Sequence, residues 1–163
     1  GANFELMYKP NTNIYFQVGF TSQKSYYEAE VKWSESPDAE TTTKMLKTPD
    51  NYGFISANWT SKKNINISLT GTYTGKMLIP HYEGYIDKDR LETTNTFYDL
   101  NLKIGKTFTL QRKMNMEISS GVKNMLNHFQ NDFDKGPDRD AGYMYGPIYP
   151  RHIFLSVKFG NIL

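Results

Sequence analysis

Asp99-Leu100-Asn101-Leu102-Lys103-Ile104-Gly105-Lys106-Thr107-Phe108 reads as a strand with two unlike faces. Side chains alternate across a strand, so Leu100, Leu102, Ile104 and Phe108 point one way while Asp99, Asn101, Lys103 and Thr107 point the other. Outward from this stretch the same pattern recurs. Ile65, Ile67 and Leu69 alternate with Asn64, Asn66 and Ser68; Met116, Ile118 and Val122 oppose Asn115, Glu117 and Lys123; Ile153, Leu155, Val157 and Phe159 oppose His152, Ser156 and Lys158. A sheet with one apolar and one polar face has two common homes. It covers a soluble core with its back to water, or it faces lipid with its back to a wet lumen.

The pattern predicts an all-β chain, an antiparallel up-and-down meander of about seven strands with almost no helix. The expected strands are Phe4 to Tyr8, a long one from Ile14 to Trp33, Tyr52 to Trp59, Ile65 to Tyr73, Phe97 to Leu110, Met114 to Met125 and Arg151 to Phe159. In the second, Phe16, Val18 and Phe20 set one parity and Tyr27, Ala29, Val31 and Trp33 the other. A bulge near Ser22 to Ser25 reconciles them, as does a strand that continues beyond a membrane. Connections alternate between short and long. Pro10 to Asn13, Ser61 to Asn64 and Gln111 to Lys113 are tight turns, whereas 34–50, 75–96 and 126–150 are long polar loops. Membrane barrels have short periplasmic turns and long outer loops in this alternation.

Aromatic placement points the same way. Tyr8, Trp59, Phe108 and Phe159 sit on apolar faces near the short-turn end, and Tyr73 and Tyr98 near the other. Amphipathic rings favour the two headgroup zones of a bilayer. The competing reading is a soluble extracellular β-sandwich, a ligand- or carbohydrate-binding module whose core has aromatic edges.

Composition narrows the partners. The 163 residues carry 19 Lys and Arg against 17 Asp and Glu, a net charge of +2 with no basic run, which gives no basis for nucleic-acid binding. Cysteine is absent, which excludes disulfide scaffolds, thiolate metal sites and Cys nucleophiles. Aromatic residues make up 15% of the chain, 12 of them Tyr, more than a soluble core of this size ordinarily uses. No apolar run reaches transmembrane-helix length, which says nothing about strands that cross a membrane. The chain opens on Gly1 with strand-like sequence at once, so an N-terminal region is expected upstream.

The loop from Asn131 to Gly142 is the most chemically loaded. Asp132, Asp134, Asp138 and Asp140 around Gly136 offer oxygen ligands for Ca²⁺. Lys135 and Arg139 lie among them, however, and no closing Glu stands at EF-hand spacing. Internal salt bridges and turn-making Asp side chains account for the loop more simply. His81, His128 and His152 are dispersed without zinc spacing and read as polar loop or lumen residues. Gly71 to Lys76 only superficially matches a phosphate loop, because its glycines are too close and no helix follows. Asn58-Trp59-Thr60 and Asn66-Ile67-Ser68 match glycosylation sequons but lie within strands. Glu28, Glu30 and Lys32 share a strand face, as do Glu117 and Lys123; such charges suit a wet lumen or a solvated face. No catalytic constellation is visible, so no enzyme and no cofactor are expected.

The C-terminal third adds a resemblance. Ser120 to Arg151, followed by the alternating strand to Phe159, resembles the end of a TonB-dependent outer-membrane receptor. Val122-Lys-Asn-Met-Leu-Asn127 is similar to that family's frequent G-V-x-N-L-F-N on the penultimate strand. Tyr145-Gly-Pro-Ile-Tyr-Pro-Arg151 is similar to its entry into the closing strand. Lys47 to Gly53 and Gly71 to Lys76 resemble its strand entries and exits. The resemblance implies that residues 1–163 are the C-terminal segment of a 22-stranded transmembrane barrel in the bacterial outer membrane. It implies active uptake of a scarce nutrient (siderophore, haem, cobalamin, oligosaccharide or peptide), with TonB engaged through an absent N-terminal region and lipid around the barrel. The loops 34–50, 75–96 and 126–150 become the candidate ligand contacts. Such barrels commonly finish on an aromatic, whereas four residues follow Phe159 here. An open segment exposes sheet edges and an apolar face, so self-association in water is expected.

Overall fold

The computed structural model describes residues 1–110 and 114–161. Seven strands form one antiparallel sheet in which every neighbour in space is the next strand of the sheet along the chain. They are β1 (Ala2–Asn11), β2 (Ile14–Ser22), β5 (Asn51–Thr60), β6 (Ile65–Thr74), β9 (Phe97–Thr109), β10 (Met114–Lys123) and β11 (His152–Asn161). The remaining strands are short pairs within the long connections: β3 (Tyr26–Val31) with β4 (Thr42–Lys44), and β7 (Leu78–His81) with β8 (Arg90–Thr93). The described residues contain no helix, and the all-β meander expected from the alternation is present. Among them the sheet is open, with β1 and β11 at its edges.

Register sorts the two faces. Across the sheet at one level, Val18 pairs with Ile55, Ile55 with Gly71, and Gly71 with Leu100. One turn nearer the middle, Leu69 pairs with Leu102, Leu102 with Val122, and Val122 with Ile153. One largely apolar face therefore runs from β1 to β11, broken by Lys106, which pairs with Ile65 and Ile118 and places its ammonium over the Phe108 ring, and by Ser120, which pairs with Ile104 and Leu155. Among the described residues no second layer covers it: Leu6 is 47% exposed, Ile104 48%, Leu155 74% and Ile153 79%. Aromatic rings border it at both ends. Tyr8, Trp59, Phe108 and Phe159 stand near the turns, while Phe4, Phe20, Tyr73 and Tyr98 stand near the loops. Ten residue steps from Tyr98 to Phe108, tilted as in barrels, rise about 24 Å, close to the height of a barrel's lipid-facing band.

The opposite face is polar and internally bonded. Lys103 Nζ lies 2.6 Å from Glu117 Oε1, the Gln17 amide donates to Glu5 over 2.5 Å, and Thr21 donates to Asn3 over 2.9 Å. Two of the aromatics on this face sit there for a steric reason. Phe54 and Phe154 each pair across strands with a glycine, Gly19 and Gly121, and lay their rings over it. A Cβ on Gly121 would stand 2.1 Å from the Leu102 carbonyl and 2.7 Å from the Phe154 ring. Missing side chains thus admit the rings, and the rings shield backbone that glycine would expose.

Short turns close on side-chain caps. Asn11 Oδ1 accepts from the amides of Asn13 and Ile14 at 2.9 and 3.0 Å. Ser61 Oγ accepts from Lys63 and Ile65 at 3.2 and 3.1 Å, with Asn64 at a φ of 57°. These are the residue types that hold turns through their own side chains. The turn read at Gln111 to Lys113 lies outside the described residues, as do Ile162 and Leu163.

Two expectations need correction. The second strand does not run to Trp33: β2 ends at Ser22, and Tyr26–Val31 pairs with Thr42–Lys44 in a separate sheet. The parity change marks this break rather than a bulge near Ser22. The register shift of this hairpin lies instead between Tyr8 and Asn11, where Pro10 has no amide to donate. The long connections are also not irregular throughout, since 26–44 and 78–93 hold the two short strand pairs.

Candidate functional site

The buried apolar cluster lies in the loops rather than under the sheet. Met77, Ile79 and Tyr143 pack together, with Tyr145 against them. Ile79 sits in Met77-Leu78-Ile79-Pro80-His81, an apolar run that delivers His81 into the same interior. His81 is 3% exposed. Its ring stacks on Tyr143 with centroids 3.6 Å apart and 13° between planes. Nδ1 lies 2.8 Å from Glu92 Oε1, and Nε2 lies 3.0 Å from both oxygens of Asp134. Loops 75–96 and 126–150 are thereby clasped through one imidazole.

The carboxylates around it are shared tightly. The Tyr143 hydroxyl lies 3.1 Å from Glu92 Oε2 and 3.2 Å from Asp132 Oδ2, and the Tyr145 hydroxyl donates to that same Asp132 oxygen over 2.6 Å. Arg90 Nε donates to Glu92 over 2.7 Å. Burial would raise the Glu92 carboxyl, but hydrogen bonds from His81, Arg90 and Tyr143 outweigh it and hold it below its ordinary value. Burial, followed by the Asp132 and Glu92 charges, raises Tyr143 far above an ordinary phenol. Burial and the hydrogen bond to Asp132 do the same to Tyr145. Both phenols therefore stay neutral donors.

The first loop joins this cap. Lys47 N donates to Leu78 O over 2.8 Å, and Lys47 Nζ to Gly142 O over 2.9 Å. The rings of Trp33 and Tyr82 meet at 5.7 Å, Lys88 pairs with Asp38 at 3.2 Å, and Ser34 donates to Asp89. Gln130, 1% exposed, organises the last loop from within. It donates to Tyr143 O and accepts from the amides of Tyr145 and Gly146.

The cap leans over the polar face. Phe97, on that face, is buried beneath Gly146 and Tyr145. Beside it a cavity of about 600 Å³ opens between Gly146–Tyr149 of the last loop and Asp99, Asn101, Lys123 and His152 of the sheet. It continues down the sheet as a hollow of about 350 Å³ past Ser68, Thr70 and Lys103. Asp99 Oδ1 is buried without a hydrogen-bond partner at this junction. The arrangement offers a carboxylate, an amide, an ammonium and an imidazole to a polar molecule entering under the loops. Asn124 fixes the roof: with a φ of 48°, it ends β10, and its side-chain amide donates to His128 O and Tyr149 O at 3.0 and 2.9 Å.

The four aspartates offered for Ca²⁺ do not converge. Asp132 serves the two tyrosines, Asp134 serves His81 and the Asp140 amide, and Asp140 takes the amides of Tyr82 and Gly142. The Asp138 carbonyl abuts Gly84. Among the described residues no group of three His, Cys, Asp or Glu side chains is placed to hold a metal ion. The salt bridges expected within this loop are absent among the described residues. Arg139 donates to the Gly136 carbonyl instead. His81 is not a polar lumen residue but the buried centre of the clasp; His152 does line the polar-face cavity, and the His128 ring lies 5.8 Å from Tyr98. Glu28 and Glu30 lie in β3, outside the main sheet, whereas Glu117 and Lys123 are on its polar face.

Sequence reasoning reached the three loops but not His81, Glu92, Tyr143 or Gln130. The one available signal was a histidine closing an apolar run, which fits an interior better than a loop tip. Searches among protein families, curated proteins and solved structures find no match to this chain.

Proposed function

We propose that this chain is the C-terminal barrel segment of a TonB-dependent outer-membrane receptor for active uptake of a scarce nutrient, located in the bacterial outer membrane. One observation carries the reading: a seven-stranded meander exposes a largely apolar face bordered by aromatic rows, with Lys106 near the turn end as its one lysine among the described residues, while its polar face is bonded and overhung by long loops. In water such a face is costly, at about 25 cal/mol for each Å² of apolar surface left wet. In a bilayer it meets lipid, and the polar face lines a lumen filled by a plug. The cap of 34–50, 75–96 and 126–150 then stands at the outer surface, and Asp99, Asn101, Lys123 and His152 line the passage beneath it. In this reading TonB acts through a region upstream, and the chain binds and passes ligand without catalysing a reaction.

A soluble β-sandwich module is the alternative, and it requires a second sheet over Leu102, Val122 and Leu155. The described residues supply none. Light scattering on a size-exclusion column, with and without mild detergent, separates the two. Association in buffer that detergent disperses supports the barrel. A monodisperse monomer in both conditions would sink it.

A further inference from the structure

Two buried amides pin the roof of the polar-face cavity at both ends. Gln130, 1% exposed, accepts from the amides of Tyr145 and Gly146, and Asn124, 4% exposed, donates to the Tyr149 carbonyl over 2.9 Å. The backbone amide of Asn124 in turn donates to Asn101 Oδ1 in the floor over 3.0 Å. Roof and floor are thus held at a set separation before anything enters.

The same bonds decide what the cavity presents. Asn101 Oδ1 is taken, so its NH₂ is the group left to offer. His152 Nδ1 lies 2.9 Å from the Pro150 carbonyl, which only accepts. That nitrogen therefore carries a proton, and in the neutral ring Nε2 offers a lone pair. Asp99 Oδ1 is buried and has no donor among the described residues, a state that calls for one. Lys103 is paired with Glu117 at 2.6 Å, whereas Lys123 has no carboxylate partner among the described residues. One free ammonium then faces one free carboxylate. The wall has no excess of positive charge to hold an anionic siderophore or the propionates of haem.

Rings stand beside these groups. Tyr149, 66% exposed, belongs to the roof, and Phe154 borders the lower hollow with the Lys123 ammonium 5.8 Å from its ring centre. Spacing separates sugar from peptide. Thr70 pairs with Asn101, Lys123 pairs with His152, and the Leu102–Val122 pair sets Lys123 beside Asn101. These four side chains form one row across four strands, about 4.8 Å apart. That step is close to the length of one sugar ring. An extended peptide instead repeats every ~3.4 Å and turns alternate side chains away.

We infer that this cavity binds a neutral oligosaccharide. Its hydroxyls donate to Asp99 Oδ1 and His152 Nε2 and accept from Asn101 and Lys123, while the C–H faces of its rings lie on Tyr149 and Phe154. The inference rests on the receptor reading and narrows its ligand to one class.

The test is isothermal titration of the complete receptor polypeptide, extracted from its outer membrane in mild detergent. The probes are malto-, cello-, xylo- and manno-oligosaccharides of three to six units. A ferric siderophore, haem, cyanocobalamin and a hexapeptide represent the competing classes. One oligosaccharide series binds, and the competing classes do not. Asp99→Ala weakens that binding roughly thirtyfold, through loss of a hydrogen bond to a charged group. Tyr149→Ala weakens it roughly fivefold and Tyr149→Phe restores it, as contact with a ring requires. Binding of a competing class in place of sugar, no binding of any series, or unchanged affinity in Asp99→Ala would overturn the inference. Heat-modifiable migration of each sample reports the barrel separately. An intact barrel that fails these titrations removes only the ligand assignment, whereas a wild type without membrane location and heat-modifiability removes both.

Discussion

Replacing His81 with Ala should open the loop cap without loosening the sheet. Removing one partner of a buried hydrogen bond leaves the other unsatisfied and costs about 1–3 kcal/mol, more where the remaining group is charged. The upper end applies here. The Glu92 side chain is 27% exposed and keeps Arg90 and Tyr143, while the Asp134 side chain, 2% exposed, keeps only the Asp140 amide. A cost of about 3 kcal/mol raises the population of the open cap on the order of a hundredfold, at tenfold per 1.4 kcal/mol. Hydrogen exchange reads this residue by residue. The amides of Asp140, Tyr82 and Lys47, which bond within the cap, should exchange on the order of a hundred times faster. Amides of β6 and β9 should keep their rates. His152→Ala, on the polar face, should leave the cap amides alone. Unchanged cap amides in His81→Ala, or equal acceleration in the sheet, would refute the argument.

Three further outcomes follow from the same contacts. The Glu92 carboxyl is held below its ordinary value of 4.5, so its contribution is present above that pH and is lost as pH falls through the lower folded value. Tyr143 and Tyr145 are raised above 10.0, so theirs is present below that pH and is lost on the alkaline side. Protection of the cap amides, taken relative to their intrinsic exchange at each pH, should accordingly be greatest between those limits and fall at each end; unchanged protection across the acid limit would contradict the Glu92 account. Gly121→Val has no space beside the Leu102 carbonyl, and circular dichroism with proteolysis should show loss of the β9–β10–β11 pairing. Leu102→Arg should cost about 2–4 kcal/mol of membrane folding stability, with Asn101→Arg near neutral, in denaturant titrations of the vesicle-inserted protein.

The sheet was legible because strand alternation is a local property. Leu100, Leu102 and Ile104 announce their face without knowledge of their neighbours, and Asn11 and Ser61 announce their turns. The bend after Ser22 was visible only as a parity conflict, since whether a strand bulges or leaves its sheet depends on a partner, Thr42–Lys44, far along the chain. The clasp was hidden for the same reason. His81, Glu92, Asp134 and Tyr143 come from two loops, and nothing local pairs a histidine with a carboxylate 53 residues away. The aspartates of the last loop read as turn-makers and salt-bridge partners ahead of Ca²⁺ ligands. Their real partners were hidden because a carboxylate's partner, whether hydroxyl, imidazole or amide, is set by tertiary packing. Phe54 and Phe154 fall on the polar face by parity, and only the register shows the cross-strand glycines that admit their rings.

The central claim is that one face of this sheet meets lipid and the other a wet lumen. The most direct measurement is a nitroxide scan from Phe97 to Thr109 along β9 in lipid vesicles, read by collisions with oxygen and with a water-soluble nickel reagent. The account predicts a period of two. Labels at Tyr98, Leu100, Leu102, Ile104 and Phe108 should favour oxygen, and labels at Asp99, Asn101, Lys103 and Thr107 should favour nickel or be shielded from both. Nickel access on both faces alike, or no alternation, would contradict it.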